Sequence, residues 1–168
     1  MSIDDTKTSE SSKFYLKTIL QEQHCKFVAK TLKKLQKRSL CAPLVKALST
    51  ESTFINDHHK RLLLIKKLFP VPNQVRSKAQ SILLKCDVKV TIKNKSPKQD
   101  IAVIKFTTKL FQAYNKKLRQ LKITAISYGD DLLLSLLEQT VNENIDTINW
   151  LKQIRKNVVE PIISENLD

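Results

Sequence analysis

The stretch Glu51-Ser-Thr-Phe-Ile-Asn-Asp-His-His-Lys-Arg-Leu62 sets a carboxylate and two adjacent imidazoles inside a run that otherwise reads as an apolar-striped helix. Carboxylates and neutral imidazoles are the side chains that hold divalent cations and move protons near neutral pH. Other polar exceptions on apolar seams are His24, Tyr114 and Glu143 with its neighbour Asn144. A mononuclear site could therefore draw on His24, Glu51 and Glu143, with His58 as a further candidate, and iron or manganese there would support oxidation or peroxide chemistry. The spacing argues against it. A di-metal carboxylate bundle uses a Glu from each of two helices and a Glu-x-x-His pair from each of two others, because two cations need several carboxylates. Phe54 and Ile55 stand three and four places after Glu51, and His58 lies a further turn on, about 10 Å along a helix from that carboxylate. The expectation is no metal, no cofactor and no catalytic residue, with His24, Glu51, His58 and Glu143 the metal candidates should a cation bind. His59 falls on another face, and Tyr114 and Asn144 are read as hydrogen-bonded core polars.

The three cysteines, Cys25, Cys41 and Cys86, show neither CxxC spacing nor an even framework, so reduced, partly buried thiols are expected and none is read as a nucleophile. No apolar run approaches the roughly 20 residues a bilayer span requires, and residues 1–12 are acidic and hydroxyl-rich without an apolar core. A cytoplasmic protein with no membrane association is expected.

The net charge of +14 is uneven: residues 1–12 sum to −2, residues 13–122 to +21 and residues 123–168 to −5. Such polarity can draw phosphates to the basic span or pair a basic face of one subunit with an acidic end of another. Few aromatics and no RNP, zinc-finger or KH signature argue against sequence-specific nucleic-acid recognition. Solvation of charged helix faces is the main expectation, with weak nonspecific polyanion or nucleic-acid binding as the alternative.

These residues need long helices to position them. A single Gly and five Pro in 168 residues are too few turn-formers for a β-sandwich or barrel. Leu16, Leu20, His24, Phe27, Thr31 and Leu35 recur at three-and-four spacing, widened by Ile19, Val28 and Leu32, and predict a long first helix from about residue 13. Pro43 opens a second helix running unbroken to about Phe69 on the seam Leu44, Leu48, Glu51, Ile55, His58, Leu62 and Ile65, stopped by Pro70-Val-Pro72. Residues 75–86 predict a short helix and 87–93 an extended connection. A third long helix from about Lys98 carries Ile101, Ile104, Thr108, Phe111, Tyr114, Leu118, Leu121 and Ala125. Gly129 ends it, and Asp130 and Asp131 cap the next. The fourth helix carries Leu133, Leu137, Val141, Asn144, Ile148 and Leu151, with a second seam of Leu136, Thr140, Glu143, Thr147 and Trp150. Pro161 begins the tail. Two short hairpins joined by a long crossover predict an all-α, ferritin-like antiparallel four-helix bundle with a short extra helix: a flexible segment at 1–12, the bundle at 13–157 and a tail at 158–168.

Leu20-Gln-Glu-Gln-His-Cys-Lys-Phe27, Pro43-Leu-Val-Lys-Ala-Leu-Ser-Thr-Glu51 leading to Arg61-Leu62, and Ala125-Ile-Ser-Tyr-Gly129 followed by Leu136-Leu-Glu-Gln-Thr-Val-Asn-Glu143 together resemble the YciE/YciF-type ferritin-like proteins, a bacterial stress-associated family, over residues 13–155. The resemblance implies a homodimer of four-helix bundles with a di-metal site at the bundle centre. Carried over by position, His24 stands where the family has an acid, Glu51 where it has a histidine, and Phe111, Gln112 and Tyr114 where it has a Glu-His-x-Glu cluster. Glu143 remains of an acidic pair whose second place is Asn144. The expectation is a dimeric ferritin-like bundle without a functional di-iron centre, in a structural, stress-associated or interaction role.

Overall fold

The computed structural model describes residues 3–69 and 94–165, with side chains from Glu10 onward. Among the described residues the chain is helix and turn with no strand, as the scarcity of turn-formers requires. The short helix expected at 75–86 and the extended connection at 87–93 lie outside the described residues, as does Cys86.

Helix α1 spans Ile3–Arg38, beginning at Ile3 instead of residue 13. No Gly or Pro interrupts residues 3–12. Its fully covered stripe is Phe14, Thr18, Gln21, Cys25, Val28, Leu32 and Leu35, whereas the expected Leu20 is 36% exposed. The seam is turned because α1 packs against two helices at once, and its buried arc centres between them.

After Ser39–Cys41, helix α2 covers Ala42–Ala47, with Pro43 in its first turn. The unbroken second helix expected from Pro43 to Phe69 is instead split. Ser49 and Thr53 bond within a turn, Ser49 Oγ accepting from the Ser52 N–H at 3.0 Å and Thr53 Oγ1 donating to the Ser49 carbonyl at 2.8 Å. Hydroxyl side chains compete in this way with helical backbone bonds. Phe54 then takes a left-handed conformation, φ 53°, before helix α3 spans Ile55–Leu68.

Helix α4 covers Pro97–Ile126 and is capped by Ser96, whose Oγ accepts from the Gln99 N–H at 3.2 Å. Gly129 sits at φ 62°, the left-handed position that ends such a helix. Asp130 Oδ1 then accepts from the Leu133 N–H at 3.0 Å and caps helix α5, Asp131–Ile154. The predicted stop and start at this joint are both observed. Within the tail expected from residue 158 the described residues are helical: a π turn at Arg155–Val159 leads into α6, Glu160–Glu165. Pro161 cannot continue a regular α ladder, and the wider turn ahead of it accommodates the ring.

Helix α1 packs on α3 and α4, and α5 packs on α4 and α3. Phe14 meets Phe69, and Cys25 Sγ donates to the Ile55 carbonyl, so α1 and α3 run in opposite senses. Lys17 meets Thr124 and Gln21 meets the Tyr114 carbonyl, which sets α4 against α1 likewise. Arg61 with Thr140, and Asn115 with the Val141 carbonyl, fix α5 beside α3 and α4. Phe14, Phe69 and Tyr128 close one end of the core with ring centroids 4.7–5.4 Å apart. The most deeply covered large side chains include Tyr114, Phe111, Leu32, Leu35 and Leu118.

Candidate functional site

Three of the four candidate ligands belong to the interior and one does not. His58 is 0% exposed and His24 is 5% exposed. Glu143 stands at the edge of the interior, its side chain 16% exposed. Glu51 lies in the solvent-facing turn between α2 and α3, where it accepts from the neighbouring Thr50 hydroxyl at 3.1 Å. The expectation that it faces the interior is wrong because the left-handed Phe54 breaks the helical register that would have carried it inward.

Glu143 is where the interior electrostatics converge. Arg61, one turn after His58 on α3, grips it with both arms: Nη1 donates to Oε2 at 2.6 Å and Nη2 to Oε1 at 2.9 Å. The Gln139 amide, one turn earlier on α5, donates to Oε1 at 3.0 Å, and His58 Nε2 lies 3.0 Å from Oε2. Four donors meet a carboxylate that offers about four lone-pair positions. Partial burial pushes the Glu143 carboxyl up, but Arg61 and Gln139 outweigh it and hold the group below the ordinary value. Burial drives the His58 imidazole down to about 4 against the pull of Glu143. His58 is therefore neutral at pH 7, and since the carboxylate can only accept, the imidazole proton sits on Nε2.

Tyr114 separates the two buried imidazoles. His58 stacks near its ring at 6.2 Å with an interplanar angle of 21°, and His24 meets it edge-on at 5.2 Å. Burial, with the Lys117 charge adding to it, lowers His24 to about 4, while burial raises the Tyr114 phenol well above its usual value. Beside this layer Asn144 Nδ2 donates to Asn115 Oδ1 at 2.9 Å, and Asn115 Nδ2 to the Val141 carbonyl at 3.1 Å. Among the described residues, none bonds His24 Nδ1, His58 Nδ1, the Tyr114 hydroxyl or Asn144 Oδ1, all of which are buried.

The di-metal site implied by the family resemblance does not fit this donor set. Its carboxylate is saturated and already neutralised by a guanidinium, and helix α4 contributes Tyr114 and Asn115 at this level, not an acid. Among the described residues no three His, Cys, Asp or Glu side chains gather as a metal cluster would require. A neutral, low-pKa imidazole tied to an ion pair is a weak base at pH 7; the arrangement locks α3 to α5.

Sequence reasoning missed Arg61, although a carboxylate on an apolar seam demands a counter-charge and Arg61 shares the His58 face. It also missed Glu22 on α1, which gathers Lys66 at 2.7 Å, Lys26 at 2.9 Å and His59 at 3.2 Å. Burial alone would raise Glu22, but hydrogen bonds from Lys66, Lys26 and His59 hold it down to about 2. Asp100, 1% exposed at the start of α4, was missed as well; it accepts from the backbone N–H of Leu40 at 2.9 Å and of Cys41 at 2.8 Å. Only the Glu22–Lys26 spacing was legible as an i, i+4 pair. Cys25 is buried and its thiol is raised to about 11 by that burial, which leaves it inert at neutral pH. No helix among the described residues is long and apolar enough to cross a membrane.

No protein-family model matches this chain, and no curated protein or solved structure matches it either.

Proposed function

We propose that the chain is a divergent ferritin-like four-helix bundle of the YciE/YciF type whose centre is closed to metal, and that it acts through its surface as an interaction protein, not as an oxidase. The helix directions support the topology: α1 and α5 run one way, α3 and α4 the other, so the stretch between Phe69 and Asn94 joins two parallel helices as a crossover does. One observation carries the functional half. All four acceptor positions of Glu143 are taken, two of them by Arg61, leaving no lone pair for a cation.

The test is elemental analysis of protein purified without a metal-affinity tag, after anaerobic incubation with ferrous iron or manganese and desalting. Metal well below one ion per chain, and no iron-dependent oxygen uptake, are expected. Near-stoichiometric metal that disappears in Glu143→Gln or His58→Gln would replace this reading with a noncanonical metal enzyme.

A further inference from the structure

Helix α4 carries seven basic residues, Lys98, Lys105, Lys109, Lys116, Lys117, Arg119 and Lys122, and a single acid, Asp100. That acid is buried and consumed by two backbone N–H groups, so every charge on the exposed face of the helix is positive. Lys122 pairs with Glu138 across to α5, whereas Lys105, Lys109, Lys116 and Arg119 make no ion pair among the described residues. On α1 and α3, Lys26, Lys66 and His59 are spent on the buried Glu22, while Lys30, Lys33, Lys34 and Lys37 of α1 make no ion pair among the described residues and form the natural control. Positions 105, 109, 112, 116 and 119 follow one another at four-and-three spacing along a single ridge. From Lys105 to Arg119 that ridge is about 21 Å long at the helical rise per residue.

Resting on the interaction reading above, we propose that this ridge is a docking surface for the sugar–phosphate backbone of a double-stranded nucleic acid, contacted by Lys105, Lys109, Lys116 and Arg119. Between residues 98 and 120 every exposed side chain is Lys, Arg, Gln or Ala. From Lys105 to Arg119 the ridge carries no large apolar group to enter a bilayer, as an interfacial membrane helix needs; the exposed Ile123 and Ile126 lie beyond it, in the last turn of the helix. No aromatic is present to stack on a base, which confines recognition to phosphates and makes it independent of sequence. A cleft of about 540 Å³ runs beside the ridge, with Gln112, Lys116, Arg119 and Ile123 on its α4 wall and Ile145 and Ile148 of α5 opposite, so that the cations stand at its rim.

The probe is a fluorescent duplex DNA of mixed sequence, about one and a half helical turns or longer, titrated by anisotropy at several salt concentrations. Four phosphate contacts give a log–log salt slope near −3.6, hence about 10²-fold weaker binding at 200 mM than at 50 mM salt. K105Q/K109Q/K116Q/R119Q is expected to lose most of the binding and flatten the slope, with an unchanged helical signal and urea midpoint. K30Q/K33Q/K34Q/K37Q removes the same charge from α1 and is expected to bind at least tenfold more tightly than the α4 variant. Equal loss in both variants, salt-insensitive or absent binding, or capture by phosphatidylserine vesicles in place of the duplex would overturn the proposal. If duplex binding fails while the metal test gives an empty, folded protein, only the partner is wrong. If metal is retained and the ridge still binds, only the metal-closed centre is wrong.

Discussion

Arg61 and Glu143 meet as fork on fork across the α3–α5 interface, with two parallel N–H to oxygen bonds of 2.6 and 2.9 Å. Bidentate pairing of this kind fixes orientation as well as attraction. Arg61 Nη1 also donates to Thr140 Oγ1 at 3.1 Å, so one guanidinium spans a full turn of α5. The pair sets how α3 lies on α5 and occupies the acid on which a metal site would depend.

Removing one partner should cost more than removing both. Glu143→Ala leaves Arg61 and His58 facing a largely covered space, and a loss of about 3 kcal/mol in urea unfolding is expected. A double change of Arg61→Met with Glu143→Leu should fall within about 1 kcal/mol of the parent, because it abolishes both desolvation penalties. If the double variant lost as much as the sum of the singles, the pair would not be acting as a unit.

Acid should loosen the protein through its two buried histidines ahead of the Glu143 carboxylate. His24 and His58 are lowered to about 4 in the fold from 6.5, so the unfolded chain binds more protons between those values. Their contribution is complete above pH 6.5 and is lost as pH falls toward 4. Glu143, also lowered, adds its own loss only below about 4.5. Urea unfolding at pH 7.5 and pH 5 should differ by roughly 2 kcal/mol for each histidine. His58→Gln should remove its share of that pH dependence, and a flat profile in the parent would contradict the burial of both rings.

Asp100 ties the α1–α2 turn to the start of α4 through the Leu40 and Cys41 amides. Asp100→Ala strands both N–H groups and should cost about 2–4 kcal/mol, with Asp100→Asn intermediate because one acceptor survives. Amide hydrogen exchange at Leu40 and Cys41 should accelerate selectively, which separates loss of this tie from general destabilisation.

Glu51→Ala should leave the unfolding midpoint and any metal uptake unchanged, since the side chain faces solvent in the α2–α3 turn. A fall in metal content on this change would place Glu51 in the interior after all, and would be read directly by elemental analysis.

Much of the architecture was legible because helical periodicity is a local property. The seams of α4 and α5 were read nearly residue by residue, Tyr114, Leu118, Leu121, Leu133, Leu137, Val141 and Asn144 all being covered. The stop at Gly129 and the cap at Asp130 were equally plain, since left-handed backbone and N-terminal amides each select few residue types. Less could be read where the apolar pattern was ambiguous. α1 is apolar around more than half its circumference, so periodicity could not say which row lies deepest, and the split at Phe54 is invisible to a seam that stays in phase across it.

For the candidate site the division is sharper. By itself the sequence determined that His24, His58 and Glu143 would sit near apolar seams and that too few carboxylates were available for a di-metal centre. Only the tertiary structure decided that Arg61 saturates Glu143, that Tyr114 stands between the two imidazoles, that Glu51 faces outward and that Asp100 is spent on a distant turn. The reason is physical. Secondary structure follows from interactions three and four residues apart, whereas a carboxylate's partner is set by which helix packs beside it, and here the partners of Glu143, Glu22 and Asp100 lie as many as 85 residues away along the chain.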